Sequence, residues 1–332
     1  MLVEQLNGNH AAPTSNIRRI VIDTDCGVDD ACAILLAVRT TQKQSDVRIE
    51  AITTVCGNVA LSKVRPNVLR VLELCGATEI PVFEGASSPV LQPFRDATYC
   101  HGEDGFGGVS HKYRPADVPV PNEHAVHALV RLARTFKNEL SLICLGPLTN
   151  IALAQKLEPN FLENLKEIVV MGGSCSGSGN DTPGAEFNFG CDPEAMAIVI
   201  NENSDPEKLR IVTYDACRYS PLSWTWYDSL DDQSTFINFL KDVLSNLCSR
   251  LKTMESPGLY VYDMAAVALF LDPLISAKSI TCPVYPELAG RWSRGAIVLD
   301  RRNSKAWEKE ANAQVVCLID AHRLKRMFDQ IL

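Results

Sequence analysis

The chain has no apolar run of the length that a membrane helix needs, and it has no excess of basic residues. Its 332 residues carry 32 Lys and Arg against 40 Asp and Glu, which gives a formal net charge of −8. A membrane-spanning helix requires about 18 or more consecutive apolar residues. An acidic chain without basic clusters is also a poor partner for a phosphate backbone. We therefore expect neither a membrane partner nor a nucleic-acid partner.

Cysteine is abundant, with twelve residues, but it does not occur in closely spaced pairs. The cysteines are scattered singly, without a C-x-x-C spacing, and many stand inside apolar stretches. This pattern is typical of reduced, buried thiols rather than of a disulfide framework. Residues 1–17 are polar and lack the charged and apolar order of a signal peptide. We therefore predict a flexible tail at 1–17 and a cytoplasmic protein.

Apolar segments without polar alternation are joined by helical patterns along most of the chain. The predicted strands are 19–22, 49–55, 80–83, 140–145, 167–171 and 210–213. The predicted helices are 29–38, 62–75, 123–137, 150–155, 193–201, 234–253, 263–271 and one from 321. Fully apolar strands alternating with helices indicate a mainly parallel sheet that is covered on both faces. We predict one α/β domain over 18–332 with a Rossmann-like open sheet, to which 296–299 and 315–319 add edge strands.

Four aspartates crowd into eight residues after the first predicted strand. They are Asp23, Asp25, Asp29 and Asp30. Ligands bind at the carboxyl ends of the strands in open α/β sheets. Carboxylates this close repel one another unless water, protons or a cation intervene, and oxygen ligands favour Ca²⁺ or Mg²⁺ over zinc. Helix capping accounts for Asp29 and Asp30 but not for the Asp-x-Asp before them. The sequence therefore predicts a metal site here.

Further polar residues follow other predicted strands or, in the case of Asp263, begin a predicted helix, and some of them also have an ordinary structural explanation. The set consists of Asn58, His101, Asn180, Glu186, Asn188 and Asp263. Asn58 could be a turn residue, His101 could open a mobile glycine-rich loop, and Asp263 could cap an apolar helix. The polar group at 180–188 could instead bind the hydroxyls of a sugar. From the residues alone these alternatives stay open.

Six short motifs, in this order, resemble the inosine-uridine preferring nucleoside hydrolase family over about residues 18–325. They are Asp23-Thr-Asp-x-Gly-x-Asp-Asp30, Gly-Asn58, Gly-Pro-Leu-Thr-Asn150, Met-Gly-Gly173, Ala-Glu-Phe-Asn188 and Tyr262-Asp-x-x-Ala-Val-Ala. The resemblance implies calcium-dependent hydrolysis of the N-glycosidic bond of ribonucleosides to free base and ribose. Its implied partners are a small-molecule nucleoside and further copies of the chain, as a homodimer or homotetramer.

The resemblance also implies a role for each matching residue. Asp25, Asp30, Asp263 and the backbone carbonyl of Leu145 would bind Ca²⁺, and Asp25 would be the general base for a calcium-bound water. The implied substrate-binding residues are Asp29 and Asn58 at the ribose 2′-hydroxyl, Asn180, Glu186 and Asn188 at the 5′- and 3′-hydroxyls, Phe187 as a pocket wall, and His101 near the leaving base. Asp23 would support the ligands from behind. The predicted catalytic set is Asp25, Asn58, His101 and Tyr262.

Tyr262 departs from the family pattern, because many members have His directly before the late Asp. Purine-specific relatives place Trp there and stack it on the base, and Tyr262 could stack on a purine in the same way. Alternatively its phenol could donate a proton, although an ordinary tyrosine pKa of about 10 makes it a weak acid. We favour stacking, and with it purine nucleosides.

Two other functions remain possible from the sequence. Phosphatases of the haloacid dehalogenase type also end a strand in Asp-x-Asp, but here Cys-Gly-x-Asp-Asp follows and no downstream Lys motif is evident. A non-catalytic nucleoside- or ribose-binding protein could keep the same acidic pocket. Release of free base from a nucleoside separates an enzyme from such a binding protein.

Overall fold

The structure is a computed structural model that describes residues 17–231, 233–302 and 309–332, so the predicted tail lies outside it except for Ile17. The strands are β1 (Arg18–Thr24), β2 (Val47–Thr54), β3 (Val82–Glu84), β4 (Leu140–Cys144), β5 (Glu167–Met171), β6 (Leu209–Val212), β7 (Leu222–Ser223), β8 (Gly258–Leu259), β9 (Ser276–Cys282), β10 (Val284–Pro286), β11 (Ile297–Leu299) and β12 (Ala313–Ile319). The helices are α1 (Val28–Lys43), α2 (Leu61–Cys75), α3 (Thr98–His101), α4 (Ala125–Thr135), α5 (Thr149–Leu157), α6 (Phe161–Asn164), α7 (Phe187–Cys191), α8 (Pro193–Glu202), α9 (Tyr214–Arg218), α10 (Trp224–Asp228), α11 (Thr235–Thr253), α12 (Tyr262–Leu271) and α13 (Ala321–Ile331).

An eight-stranded sheet in the order β3-β2-β1-β4-β5-β6-β12-β9 forms the centre, and every pair is parallel except β12 with β9. The side chains of β1 point alternately into two hydrophobic cores. Ile20 and Ile22 belong to one core, with residues of α1 and α12, whereas Val21 belongs to the other, with residues of α4 and α5. Both faces of the sheet are therefore buried, which explains why its strands lack polar alternation. The predicted fold class is confirmed.

Two predictions for the C-terminal region were wrong. The segment 315–319 does form a strand, but β12 lies inside the sheet, because it pairs in parallel with β6 and antiparallel with β9. The segment 296–299 does not join this sheet at all. Its strand, β11, pairs with β10 in a separate two-stranded sheet. The edge strand at this end of the sheet is β9, whose mostly exposed, polar sequence SAKSITC gave no strand signal.

The parallel strands bring the polar loops to one edge of the sheet. β1, β2, β4 and β5 run in the same direction, so the segments that follow Thr24, Thr54, Cys144 and Met171 meet at their carboxyl ends. The first turn of α12 reaches the same place from the opposite end of the chain, because this helix packs against α1. All twelve cysteines lie in the described ranges and carry free thiols. No described helix has the length and apolarity required to cross a bilayer.

Candidate active site

The side chain of Asp30 accepts hydrogen bonds from the turn between β1 and α1. Asp30 Oδ1 accepts a hydrogen bond from Thr24 Oγ1 at 2.5 Å, and Oδ2 accepts from the amide of Gly27 at 2.9 Å. Asn58, after β2, also donates its side-chain amide to Oδ2 at 2.9 Å. Asp30 is fully buried, so its position depends on these three donors.

Asp25 is held beside Asp30 by the neighbouring strand ends. Its Oδ2 accepts from the backbone amide of Asn58 at 2.7 Å, whereas the buried Oδ1 has no hydrogen-bond partner among the described residues. Two glycines make room for this carboxylate. A Cβ on Gly146 would lie 2.8 Å from Oδ1, and one on Gly57 would overlap Oδ2. The backbone thus approaches Asp25 more closely than a side chain would permit.

Asp29, Asp30 and Asp263 each offer one oxygen to a group in which these atoms lie within 4.8 Å of one another. All three are buried, and Asp29 Oδ1 has no hydrogen-bond partner in the described part of the chain. Burial raises the pKa of Asp29 to about 6 and that of Asp263 well above its usual range, and in Asp263 the neighbouring carboxylates raise it further. Buried acids with open oxygens are a suitable ligand set for a hard divalent cation. The residues present therefore fit a metal ion.

The pKa of Asp25 is raised for the same reasons. Burial is the largest cause of its raised pKa, and repulsion from Asp30 and Asp29 adds to it. Asp23 points elsewhere. Its buried Oδ1 accepts from the Thr53 hydroxyl at 2.6 Å and from the Asn150 side chain at 2.8 Å, so it ties β1 to β2 and α5.

Leu145, directly after β4, lines the cavity, and its carbonyl already accepts one hydrogen bond. Asn188 Nδ2 binds it at 2.7 Å and also contacts the carbonyl of Met171 at 3.2 Å. A carbonyl oxygen has two lone pairs, so this one can still accept a second partner. Asn188 is therefore fixed between the ends of β4 and β5, next to the acids.

Glu186 and Asn180 are ordered by the backbone of α7. Glu186 caps this helix: Oε1 accepts from the amide of Asn188 at 2.8 Å, and Oε2 accepts from the amide of Gly173 at 2.9 Å. Its burial raises the pKa to about 7 despite these donors. Asn180 Oδ1 accepts from the amide of Phe187 at 2.8 Å, which directs one end of the carboxamide.

His101 lies at the end of α3 with its ring pressed against the turn before α1. Its Nδ1 accepts from the amide of Val28 at 3.1 Å and lies 3.7 Å from Asp29 Oδ1. Burial lowers the pKa of this imidazole to about 4. A neutral ring that accepts at Nδ1 carries its proton on Nε2, so His101 presents a hydrogen-bond donor on its other side. Gly27 is required here, because a Cβ would overlap the ring.

Tyr262, the first residue of α12, is part of an aromatic stack. Its ring packs on Tyr214 with 5.4 Å between centroids and 16° between planes, and Tyr260 packs on it at 6.1 Å and 45°. Burial raises the pKa of the Tyr262 phenol well above its usual range. That shift makes the group a still weaker acid than an ordinary tyrosine.

A single cavity is lined by most of the predicted residues. Those in its wall are Asp29, Asn58, His101, Leu145, Asn180, Glu186, Phe187, Asn188, Tyr262 and Asp263. Asp25 and Asp30 are fully buried and do not belong to this lining. The lining also includes Tyr99 and Leu247, which the sequence analysis did not identify. Leu247 gives no functional signal because it follows the apolar pattern of α11, and Tyr99 stands in the short helix α3, where the sequence has no motif.

Comparison with known proteins identifies the family of the chain. Residues 20–326 match the inosine-uridine preferring nucleoside hydrolase family. An inosine-uridine preferring nucleoside hydrolase of Crithidia fasciculata is 33% identical over 307 residues, which cover 91% of this chain and 93% of that protein. The non-specific ribonucleoside hydrolase RihC of Salmonella newport is 33% identical over 316 residues, covering 94% and 96%. A solved inosine-guanosine nucleoside hydrolase is similar with a TM-score of 0.85, at 31% identity over 95% of this chain and 98% of that one.

The open, mostly parallel sheet, the acid-rich cavity and these relatives define a hydrolase that acts on N-glycosyl bonds. The chain belongs to the inosine-uridine preferring nucleoside hydrolase family. Its reaction class is the hydrolysis of ribonucleosides to base and ribose. Metal dependence is a property of the family, and the group of Asp29, Asp30 and Asp263 could hold the metal.

Proposed function

We propose that this protein is a calcium-dependent nucleoside hydrolase that favours purine nucleosides. The observation that carries the proposal is the meeting of buried acids from both ends of the chain at one cavity. Asp25 lies in the turn between β1 and α1, Asp29 and Asp30 lie in the first turn of α1, and Asp263 lies in the first turn of α12. The amides and carboxylate of 180–188 face the same cavity, so one ligand can contact both groups.

The residues suited to hold the metal are Asp25, Asp30, Asp263 and the carbonyl of Leu145. Asp29 lies close enough to take part as well. An all-oxygen set with several carboxylates suits Ca²⁺, which accepts many ligands in a flexible geometry. Ca²⁺ bound there would orient the ribose diol and lower the pKa of water.

Asp25 is the proposed general base. Its Oδ2 is held by the amide of Asn58, while Oδ1 has no partner in the described ranges and is free to take the proton of the attacking water. Bond cleavage builds positive charge on the ribose, which buried carboxylates stabilise. If the water attacks the face opposite the base, the anomeric configuration inverts.

The proposed sugar contacts are made by Asp29 and Asn58 at the 2′-hydroxyl and by Asn180, Glu186 and Asn188 at the 5′- and 3′-hydroxyls. Each of these side chains is already oriented by a backbone partner or lies in the buried acid cluster. Pre-ordered groups lose little entropy when a substrate binds, so their contacts can serve the transition state.

At the base end we assign a hydrogen bond from His101 Nε2 and a stacking surface to Tyr262. One side of the Tyr262 ring is already covered by Tyr214, so the base would meet the opposite face. Phe187 would form the wall of the pocket. The raised pKa of Tyr262 favours stacking over proton donation. A broad ring surface favours purines over pyrimidines, because the purine offers more area.

Release of reducing sugar from inosine, adenosine, guanosine, uridine and cytidine tests the proposal. We expect release with Ca²⁺ present, loss of release after chelation, and higher kcat/KM for the purine nucleosides. A protein that binds inosine without releasing hypoxanthine would be a binding protein instead.

We further propose that the protein is a cytoplasmic homodimer or homotetramer. The free cysteines support a reducing compartment. Light scattering of the purified protein measures the oligomeric state.

A further inference from the structure

The side chain of Arg95 joins the three segments that surround the sugar-binding end of the cavity. Arg95 lies between β3 and α3. Its Nη1 donates to Asp181 Oδ1 at 2.9 Å, its Nη2 donates to Asp181 Oδ2 at 3.0 Å, and Nη2 also donates to the carbonyl of Gly190 at 2.8 Å. One guanidinium thus binds the loop before α7 and the backbone of α7 itself.

Each of these segments carries residues that line the cavity. Asp181 directly follows Asn180, and Gly190 lies in α7, the helix capped by Glu186. On the other side, Arg95 precedes Ala97, whose amide donates to the carbonyl of Asn58 at 3.0 Å. The segment around Arg95 is therefore bonded both to the wall that would bind the sugar and to Asn58, which contacts the buried aspartates.

The loop that bears Asn180 has no regular structure and closes mainly on itself. The amides of Asn180 and Asp181 both donate to the carbonyl of Ala185 at 3.1 Å. Such a turn keeps its own shape but does not by itself fix its position against the cavity. The ion pair with Arg95 supplies a charged attachment at the residue next to Asn180.

Asp181 fits tightly against α7. Its side chain is only 12% exposed, and a Cβ on Gly190 would overlap its carboxylate. Exposed ion pairs contribute little, but a two-pronged guanidinium–carboxylate pair on a mostly buried acid has a fixed geometry. This pair therefore restricts where the Asn180 loop can lie.

We propose that Arg95 is a positioning residue that acts through Asp181 and Gly190 to hold Asn180 against the 5′-hydroxyl of the substrate. The inference rests on the proposed function. Asn180 Oδ1 is taken by the amide of Phe187, which leaves its NH₂ group to bind a hydroxyl. Asn188 is bonded to Leu145 beside the acids, where the 2′,3′-diol belongs. Asn180 is therefore the side chain suited to the far end of the ribose.

The test compares inosine with 5′-deoxyinosine in the wild type and in Arg95→Met, which keeps the apolar stem without the guanidinium. Wild-type kcat/KM should fall at least about tenfold when the 5′-hydroxyl is missing, the effect of one lost hydrogen bond that serves the transition state. Arg95→Met should lose about tenfold on inosine but less than about threefold on 5′-deoxyinosine. Arg95→Lys keeps the charge but not the forked guanidinium. Its kcat/KM on inosine should therefore lie between those of the wild type and Arg95→Met.

Arg131→Met is the matched control. It breaks a two-pronged pair with Glu123, at 3.0 and 2.7 Å, whose residues are not in the cavity wall. This variant should keep the wild-type preference for inosine over 5′-deoxyinosine. If Arg95→Met folds poorly by thermal melting, Asp181→Asn gives the same test, because it removes the acid charge with little change of shape.

The outcomes separate this inference from the proposed function. Equal losses on both substrates in Arg95→Met, or no loss on inosine, would overturn the role of Arg95 while the wild type still prefers inosine. A wild-type enzyme that hydrolyses both substrates equally well would overturn the sugar contact assigned to Asn180. A wild type that releases no base from either substrate would overturn the proposed function itself.

Discussion

A carboxylate oxygen of Asp263, in the first turn of α12, lies within 4.8 Å of one of Asp30, in the first turn of α1. Burial raises the pKa of both carboxyl groups, and repulsion from Asp29 and Asp30 raises that of Asp263 further, so without a cation the protonated state is favoured. A divalent cation can replace the proton and neutralise both groups. The relationship between these two residues therefore links the folding of the chain to the binding of a metal.

Asp263→Asn tests this link. Removal of this buried acid should raise the melting temperature of the metal-free protein by about 1–2 °C, since the protein no longer bears a cost of about 1 kcal/mol for burying a carboxyl group that must be either charged or protonated. The same change should abolish the stabilisation that Ca²⁺ gives to the wild type in a thermal melt. Asp46→Asn, at an exposed acid paired with Arg18, is the control and should leave the Ca²⁺ effect intact. A full Ca²⁺ shift in Asp263→Asn would contradict the metal assignment.

Asp25→Asn tests the general base. The amide keeps the size and one oxygen but cannot take a proton, so kcat for inosine should fall by about 10²–10⁴-fold. The Ca²⁺-dependent rise in melting temperature should be retained in part. Steady-state kinetics measure the first effect, and thermal melts with and without Ca²⁺ measure the second. Near-normal kcat would refute the assignment of Asp25.

Tyr262 distinguishes stacking from proton donation. If the ring stacks on the base, Tyr262→Phe should be nearly as active as the wild type, and Tyr262→Ala should raise KM for inosine about tenfold. If the phenol donates a proton, both variants should instead lose kcat with KM little changed. Initial rates with inosine and uridine make the comparison, and we expect the larger effect on the purine.

Asp104 gives the glycine-rich loop after α3 a dependence on pH. Burial alone would raise the pKa of Asp104, but hydrogen bonds from the amides of Ser110, Phe106 and Gly108 outweigh burial and lower it. A lowered pKa in the folded state means that the charged acid stabilises the fold at neutral pH. That stabilisation decreases as the pH falls through 3.8, the pKa of an ordinary aspartate, towards the lowered pKa of Asp104 in the folded protein.

Asp104→Asn should therefore cost about 1 kcal/mol at pH 7, a figure reduced for the solvent exposure of the acid, and less at pH 3. Urea unfolding of both proteins at the two pH values gives the difference. A cost that is the same at both pH values would show that the charge of Asp104 does not hold the loop.

The sequence allowed the parallel sheet and the acid cluster to be predicted for different reasons. Buried strands such as β1 need apolar residues on both faces, and that requirement is visible in a short segment. The position of β12 between β6 and β9 depends on contacts between distant parts of the chain, so local pattern placed it wrongly at an edge. β9 was missed because an exposed edge strand needs few apolar residues.

The residues of the site could likewise be predicted from the sequence only where a local pattern marks them. Asp25 and Asp30 carry a dense local signal, whereas the nearness of Asp263 depended on resemblance to a family. The stack of Tyr214 on Tyr262 and the pair of Arg95 with Asp181, which are 86 residues apart, follow no local pattern. Such contacts depend on where the fold brings loops together, which a single sequence does not record.

The most direct measurement is the release of ribose from inosine by protein that has been stripped with a chelator, before and after Ca²⁺ is restored. The account predicts negligible release from the stripped protein and full release once about one Ca²⁺ is bound per chain. Undiminished hydrolysis by the stripped protein, or no hydrolysis with Ca²⁺ bound, would contradict it.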